Sequence, residues 1–194
     1  LAAAIGLVRQ HAEQWNILPD KIALCGFSAG GHLALSGAVW EIPGMADQPR
    51  PNALLLAYPV VTAGEYAHRD SFVQLTGTQD VAAHQRFTLE DKITPATPPV
   101  FVWHTVPDDC VPYENTLMLV DACKKAGVSV EAHLFPSGGH GLSLGTAETA
   151  WQGVNGIEPC VQVWPKLAIA WMRRTFADTD AATTGSATAD AIAE

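Results

Sequence analysis

Positive charge is scarce in this sequence. Eleven lysines and arginines stand against 20 aspartates and glutamates, giving a net charge of −9, and no basic cluster occurs anywhere. A surface for nucleic acid or an anionic membrane needs the opposite sign, so neither partner is expected. Long apolar runs are also lacking: the densest, Ala53 to Val61, falls far short of the roughly 20 residues that span a bilayer. Cysteine is sparse, with Cys25, Cys110, Cys123 and Cys160 set far apart and forming no CxxC pair. That excludes a disulfide scaffold. Reduced thiols are expected instead, with Cys25 buried inside its apolar run. Neither G-x-G-x-x-G nor G-x-x-x-x-G-K-[ST] occurs, and no histidine pair has carboxylate-backed ligand spacing. Dinucleotide, phosphate-loop and metal sites therefore have no support, and no cofactor is expected.

What the sequence does hold is core material. Apolar types make up 48% and charged types 16% of 194 residues, which suits one packed domain and excludes a disordered chain. Leu1, Ile5, Val8 and Ala12 fall at helical spacing without the basic stretch of a signal peptide, as in a helix entered partway. The chain is therefore expected to be the C-terminal portion of a longer protein. One domain is expected over 1–177. A disordered tail is expected over 178–194, where Ile192 is the only large apolar residue.

Four apolar stretches read as strands: Lys21–Cys25, Ala53–Tyr58, Val100–His104 and Val128–Phe135. Helices are expected over His32–Trp40, Glu114–Ala126 and Val161–Phe176, with helical fragments near Ser71–Leu75 and Val81–Phe87. Apolar strands alternating with helices predict an α/β domain, a mainly parallel sheet covered on both faces. Chemistry in such sheets gathers at the C-terminal ends of the strands.

Those ends carry polar groups of the right kinds. Gly26-Phe27-Ser28-Ala29-Gly30 matches G-x-S-x-G between a predicted strand and a predicted helix, the context of a nucleophile elbow. A sharp strand-to-helix turn needs small neighbours, which Gly26 and Gly30 supply. The helix N-terminus then aims its positive dipole end at a reacting carbonyl, with the backbone N–H of Ala29 as the first oxyanion donor. A serine needs a base, and the base needs an orienting carboxylate. Asp108 or Asp109 follows the third strand, and His140 follows the fourth in a glycine-rich loop, giving the chain order Ser, acid, His. Spacing alone favours Asp108 only slightly, and Asp80 is a further fallback for the acid. Of the other histidines, His32 reads as a packing residue and His104 as a satisfied core group. His11, His68, His84 and His133 are expected on surfaces or loops. Trp15, Trp103, Trp164 and Trp171 read as core aromatics.

Gly26-Phe27-Ser28-Ala29-Gly30-Gly31-His32-Leu33-Ala34, Phe101-Val102-Trp103-His104-Thr105…Asp108…Val111-Pro112…Asn115 and Phe135-Pro136…Gly139-His140-Gly141-Leu142 resemble the α/β-hydrolase esterases of the acetyl-xylan-esterase/feruloyl-esterase-like group. The likeness runs from about Ile5 to Phe176. It implies nucleophile Ser28, base His140 and, counting back from Val111-Pro112, acid Asp108. It also implies a serine carboxylesterase acting without a cofactor on small acyl, acetyl-like esters, with acylated carbohydrate as substrate. The group's His-Gly-Gly segment, source of the second oxyanion donor, has no counterpart here, so the N-terminal strands of the fold are expected to be missing from this chain. The strand Lys21–Cys25 would then expose an edge prone to self-association. A prolyl-oligopeptidase-type serine peptidase and a catalytically incompetent fragment are the alternatives. The compartment, cytoplasmic or secreted, stays open.

Overall fold

The computed structural model describes residues 1–41, 43–44, 47–151 and 155–189, the stretch 178–189 by its backbone. Helix α1 (Ala2–Gln10) and a single turn α2 (Ala12–Trp15) lead into strand β1 (Ala23–Phe27) and helix α3 (Ala29–Val39). Strand β2 (Ala53–Ala57) is followed by α4 (Arg69–Thr76) and α5 (Val81–His84). Strand β3 (Val100–Thr105), helix α6 (Glu114–Ala126), strand β4 (Val130–Phe135) and helix α7 (Trp164–Ala189) complete the order. The four strands pair in parallel in the order β1-β2-β3-β4, so β1 forms one edge of the described sheet.

Alternation along β2 and β3 divides the core. Leu54, Leu56, Val100 and Val102 face α3 and α6, packing with Leu35, Ala38, Leu119 and Cys123. Ala53, Leu55, Phe101 and Trp103 face the other way, onto Trp164, Ala168 and Trp171 of α7. The two central strands thus bury both sides, as a parallel sheet between helix layers requires. The expected parallel sheet covered on both faces is present.

Helix α6 starts and stops at the expected residues, because Gly127 takes the left-handed conformation that ends it (φ 72°). Strand β1 lies two residues later than expected. Asn52 occupies the preceding position, its N–H donating to Ile22 O and its Oδ1 accepting from Ile22 N–H, and the ladder begins at Ala23 opposite Ala53. Helix α7 continues past Phe176 through Ala189. Residues 190–194 of the expected tail lie outside the described residues.

Three expectations about burial are corrected. Cys25 is exposed, since β1 is an edge strand and α7 packs over β3. Trp15 is also exposed, lying against the ring of His11 on the outer turn. His84, by contrast, is buried: it stacks on Phe72 and its Nε2 bonds Thr78 O at 2.9 Å.

Candidate active site

Ser28 sits between β1 and α3 with φ 55° and ψ −124°, a conformation few non-glycine residues adopt. Its N–H donates to Ala57 O at 3.0 Å, and its carbonyl accepts from Val60 N–H at 3.1 Å and Gly31 N–H at 2.9 Å. The strained turn is thus tied to the end of β2 and to the start of α3. A Cβ on Gly26 would stand 2.2 Å from Gly30 O and 2.9 Å from Ala34 Cβ, whereas a Cβ on Gly30 would meet nothing within 4 Å. The room expected of both glycines is needed only at Gly26. Gly31 supplies the rest, since a Cβ there would sit 2.7 Å from Pro59 Cβ.

The three predicted side chains meet. Ser28 Oγ lies 2.7 Å from His140 Nε2, and His140 Nδ1 lies 2.7 Å from Asp108 Oδ2. Asp108 follows β3, and its side chain is fully buried. Its Oδ1 accepts the N–H groups of Cys110 (3.0 Å) and Val111 (2.9 Å). Burial pushes this carboxyl up, but hydrogen bonds from His104, His140 and those two amides outweigh it and hold the group well below the usual carboxylate range. Asp109 is exposed and is not part of this arrangement.

His140 rides a loop that needs unusual backbone: Gly138 (φ 103°) and Gly141 (φ 80°) flank it, where a side chain would be strained. Ser143 is gripped on both sides of its backbone, its N–H donating to the Tyr58 hydroxyl (3.0 Å) and its carbonyl accepting from Trp164 Nε1 (2.8 Å). Ala29 opens α3 directly after Ser28. It borders an apolar cleft of about 500 Å³ lined by His32, Val60, Phe72 and Phe87 among others. His32 fits the packing role expected of it, with Nε2 bonded to Phe87 O at 2.8 Å; burial lowers its pKa.

Two participants escaped the sequence reading. Tyr58 looked like the end of a strand, yet it packs on His140. His104 was expected to find core partners, and one of them is Asp108 itself, at 3.2 Å. A histidine inside a mostly apolar strand must find polar partners, but the local pattern does not say which. Among the described residues, no three His, Cys, Asp or Glu side chains gather as they would around a metal ion, and no helix is long and apolar enough to cross a membrane.

A serine on a strained strand–helix turn, bonded through histidine to a buried aspartate, invites comparison with known proteins. Residues 4–153 match the prolyl oligopeptidase family. This chain belongs to that family. Its fold is that of the α/β-hydrolases. The chain is 34% identical over 163 residues to endo-1,4-β-xylanase B of Butyrivibrio fibrisolvens, covering 79% of this chain and 26% of that protein. To the acetylxylan esterase of Xylanibacter ruminicola it is 31% identical over 147 residues, covering 72% of this chain and 30% of that protein. Among solved structures, the acetyl ester-xyloside bifunctional hydrolase of Caldicellulosiruptor lactoaceticus matches with a TM-score of 0.74 at 37% identity, covering 89% of this chain and 63% of that one. The chain therefore spans under a third of these two curated relatives and under two thirds of this solved structure.

Proposed function

We propose that this member of the prolyl oligopeptidase family is a serine carboxylesterase that removes small, acetyl-like acyl groups from acylated carbohydrate. The observation that carries the reading is the unbroken relay from Ser28 Oγ through His140 to Asp108, with 2.7 Å at each step. Asp108, ionised, keeps the proton of neutral His140 on Nδ1 and leaves Nε2 bare to accept the Ser28 proton. Ser28 Oγ attacks the ester carbonyl, and the new oxyanion turns toward the Ala29 N–H at the start of α3. His140 then protonates the leaving alcohol. Water, deprotonated by the same nitrogen, releases the acid and regenerates Ser28. No step calls for a cofactor. The cleft beginning at Ala29 offers the ester an apolar surface one residue from the nucleophile. Carbohydrate as the alcohol is supported by the names of the relatives, two of which specify acetyl-ester hydrolysis.

Peptide hydrolysis is the rival reading, favoured by the family match over residues 4–153. The intact protein should release p-nitrophenol from p-nitrophenyl acetate and acetate from acetylated xylan. It should leave a prolyl p-nitroanilide peptide uncut. Ser28→Ala should lower ester turnover by about 10⁴-fold or more and abolish labelling by a fluorophosphonate probe. Full activity in Ser28→Ala, or a preference for the anilide, would overturn the esterase reading. The β1 edge also supports self-association of this chain, to be checked by size-exclusion chromatography.

A further inference from the structure

The acid holds a partner that the relay does not require. His104, the penultimate residue of β3, is completely buried. Its Nε2 lies 2.9 Å from Val111 O and 3.2 Å from Asp108 Oδ2, and its Nδ1 lies 2.8 Å from Thr116 Oγ1. Both neighbours of Nε2 are acceptors, a carbonyl and a carboxylate, so that nitrogen must carry a proton. The Thr116 hydroxyl can then donate to Nδ1, which fixes the neutral tautomer. Oδ2 of Asp108 thus receives two imidazole N–H groups, one from His104 and one from His140. Oδ1 receives two backbone N–H groups. The carboxylate is held from four directions and has no rotation left to it.

We propose that His104 is a positioning residue for the hydrolytic reaction: it holds the Asp108 carboxylate against His140 and draws off part of the charge on the oxygen that His140 uses. The inference rests on the Ser28–His140–Asp108 reading above. Locking keeps the imidazole of His140 aimed at Ser28, and misplacement by about 1 Å can cost 10²-fold in rate. Charge sharing weakens the pull of Oδ2 on a proton held at His140, so removing the His104 donor should strengthen that pull. Other groups around Asp108 contribute to that pH response. Tyr58 faces it from the end of β2 and Cys110 from its own loop, while Asp109 and Asp70 act on Cys110. Helix α6 contributes the neutral Thr116 hydroxyl.

The test is the pH profile of kcat/KM on p-nitrophenyl acetate, measured for the intact protein and three variants. His104→Phe keeps the shape and removes the donor. His104→Gln returns an amide donor, and Thr116→Val keeps the imidazole but removes the hydroxyl that fixes its tautomer. In His104→Phe the acid limb should move up by about half a pH unit or more, and kcat should fall about tenfold with KM little changed. His104→Gln should recover most of both. Thr116→Val should shift the limb in the same direction by less, and it decides the matter if His104→Phe does not fold. A merely structural role would lower the yield or melting temperature and leave the limb in place. An unmoved acid limb in the folded variants, with Ser28→Ala and Asp108→Asn inactive, overturns the role of His104 alone. An active Ser28→Ala enzyme overturns the relay itself, and this inference with it.

Discussion

The ring of Tyr58 stands edge-on to the imidazole of His140, with centroids 5.0 Å apart and planes crossing at 70°. Tyr58 sits at φ 38°, a region a bulky residue occupies only when its surroundings compel it. Its N–H donates to Trp103 O at 2.7 Å, and its ring meets Trp103 at a centroid distance of 4.9 Å. The hydroxyl accepts from Ser143 N–H just beyond the histidine. One side chain therefore sets both the tilt of the His140 ring and the path of its loop.

Tyr58→Phe should leave the ring contact and free the Ser143 amide, destabilising the fold by about 1 kcal/mol with a small effect on turnover. Tyr58→Leu should lose the ring as well and lower kcat/KM by about tenfold, equivalent to about 1.4 kcal/mol of barrier. Thermal melts and ester kinetics on the two variants check this. Equal kinetics for Leu and wild type would remove Tyr58 from the positioning of His140.

The two neighbouring aspartates should separate sharply. Asp108 is bonded to His140 and buried, whereas Asp109 is exposed. Asp108→Asn should cost about 10⁴ in kcat, because the amide stabilises the wrong imidazole tautomer. Asp109→Asn should stay within about twofold, as a surface change away from the relay does. Steady-state kinetics decide, and comparable losses from both would move the acid elsewhere.

Stability should carry an acid signature of Asp108. Its carboxyl is held below the usual range in the folded chain, so as pH falls the unfolded chain takes up this proton first. The stabilisation is complete above the unfolded value of about 3.9 and drains away as pH drops below it. Melting temperatures between about pH 5 and pH 3 should fall more steeply for wild type than for Asp108→Asn. Parallel curves would show that the carboxylate contributes nothing to folding.

Glycine substitutions at the elbow should be unequal. Gly26→Ala forces a methyl against the Gly30 backbone, and such overpacking costs about 1–3 kcal/mol or more. Gly30→Ala enters open space within α3, where alanine gains up to about 1 kcal/mol over glycine. Denaturant melts of the two variants test the ordering. Equal losses would mean that the turn relaxes around Gly26.

Local pattern exposed the elements whose signals are local. Gly127 announced the end of α6, and Ala53–Tyr58 read as a strand because a continuous apolar run suits one buried on both faces. The elbow and the order Ser28, Asp108, His140 were legible because strand ends in a parallel sheet share one edge. What escaped depended on neighbours distant in sequence. Cys25 reads as buried until β1 is seen to be an edge, and nothing in Val81–His84 says that Phe72 will cover His84. The family resemblance favours Asp108 over Asp109, since two adjacent aspartates in one turn carry the same local signal. The contact of His104 with Asp108 needs the chain to turn back after Thr105, a geometry that spacing does not encode.

The hydrogen bond between Ser28 and His140 joins residues 112 positions apart, with β2 and β3 lying between their strands in the sheet. Competence therefore arrives late in folding, after every strand has found its register, because long-range pairing must first overcome the entropy of closing large loops. On dilution from denaturant, helical circular dichroism should return before fluorophosphonate labelling does. The interval between them times the docking of β4 and the closing of the His140 loop over the serine.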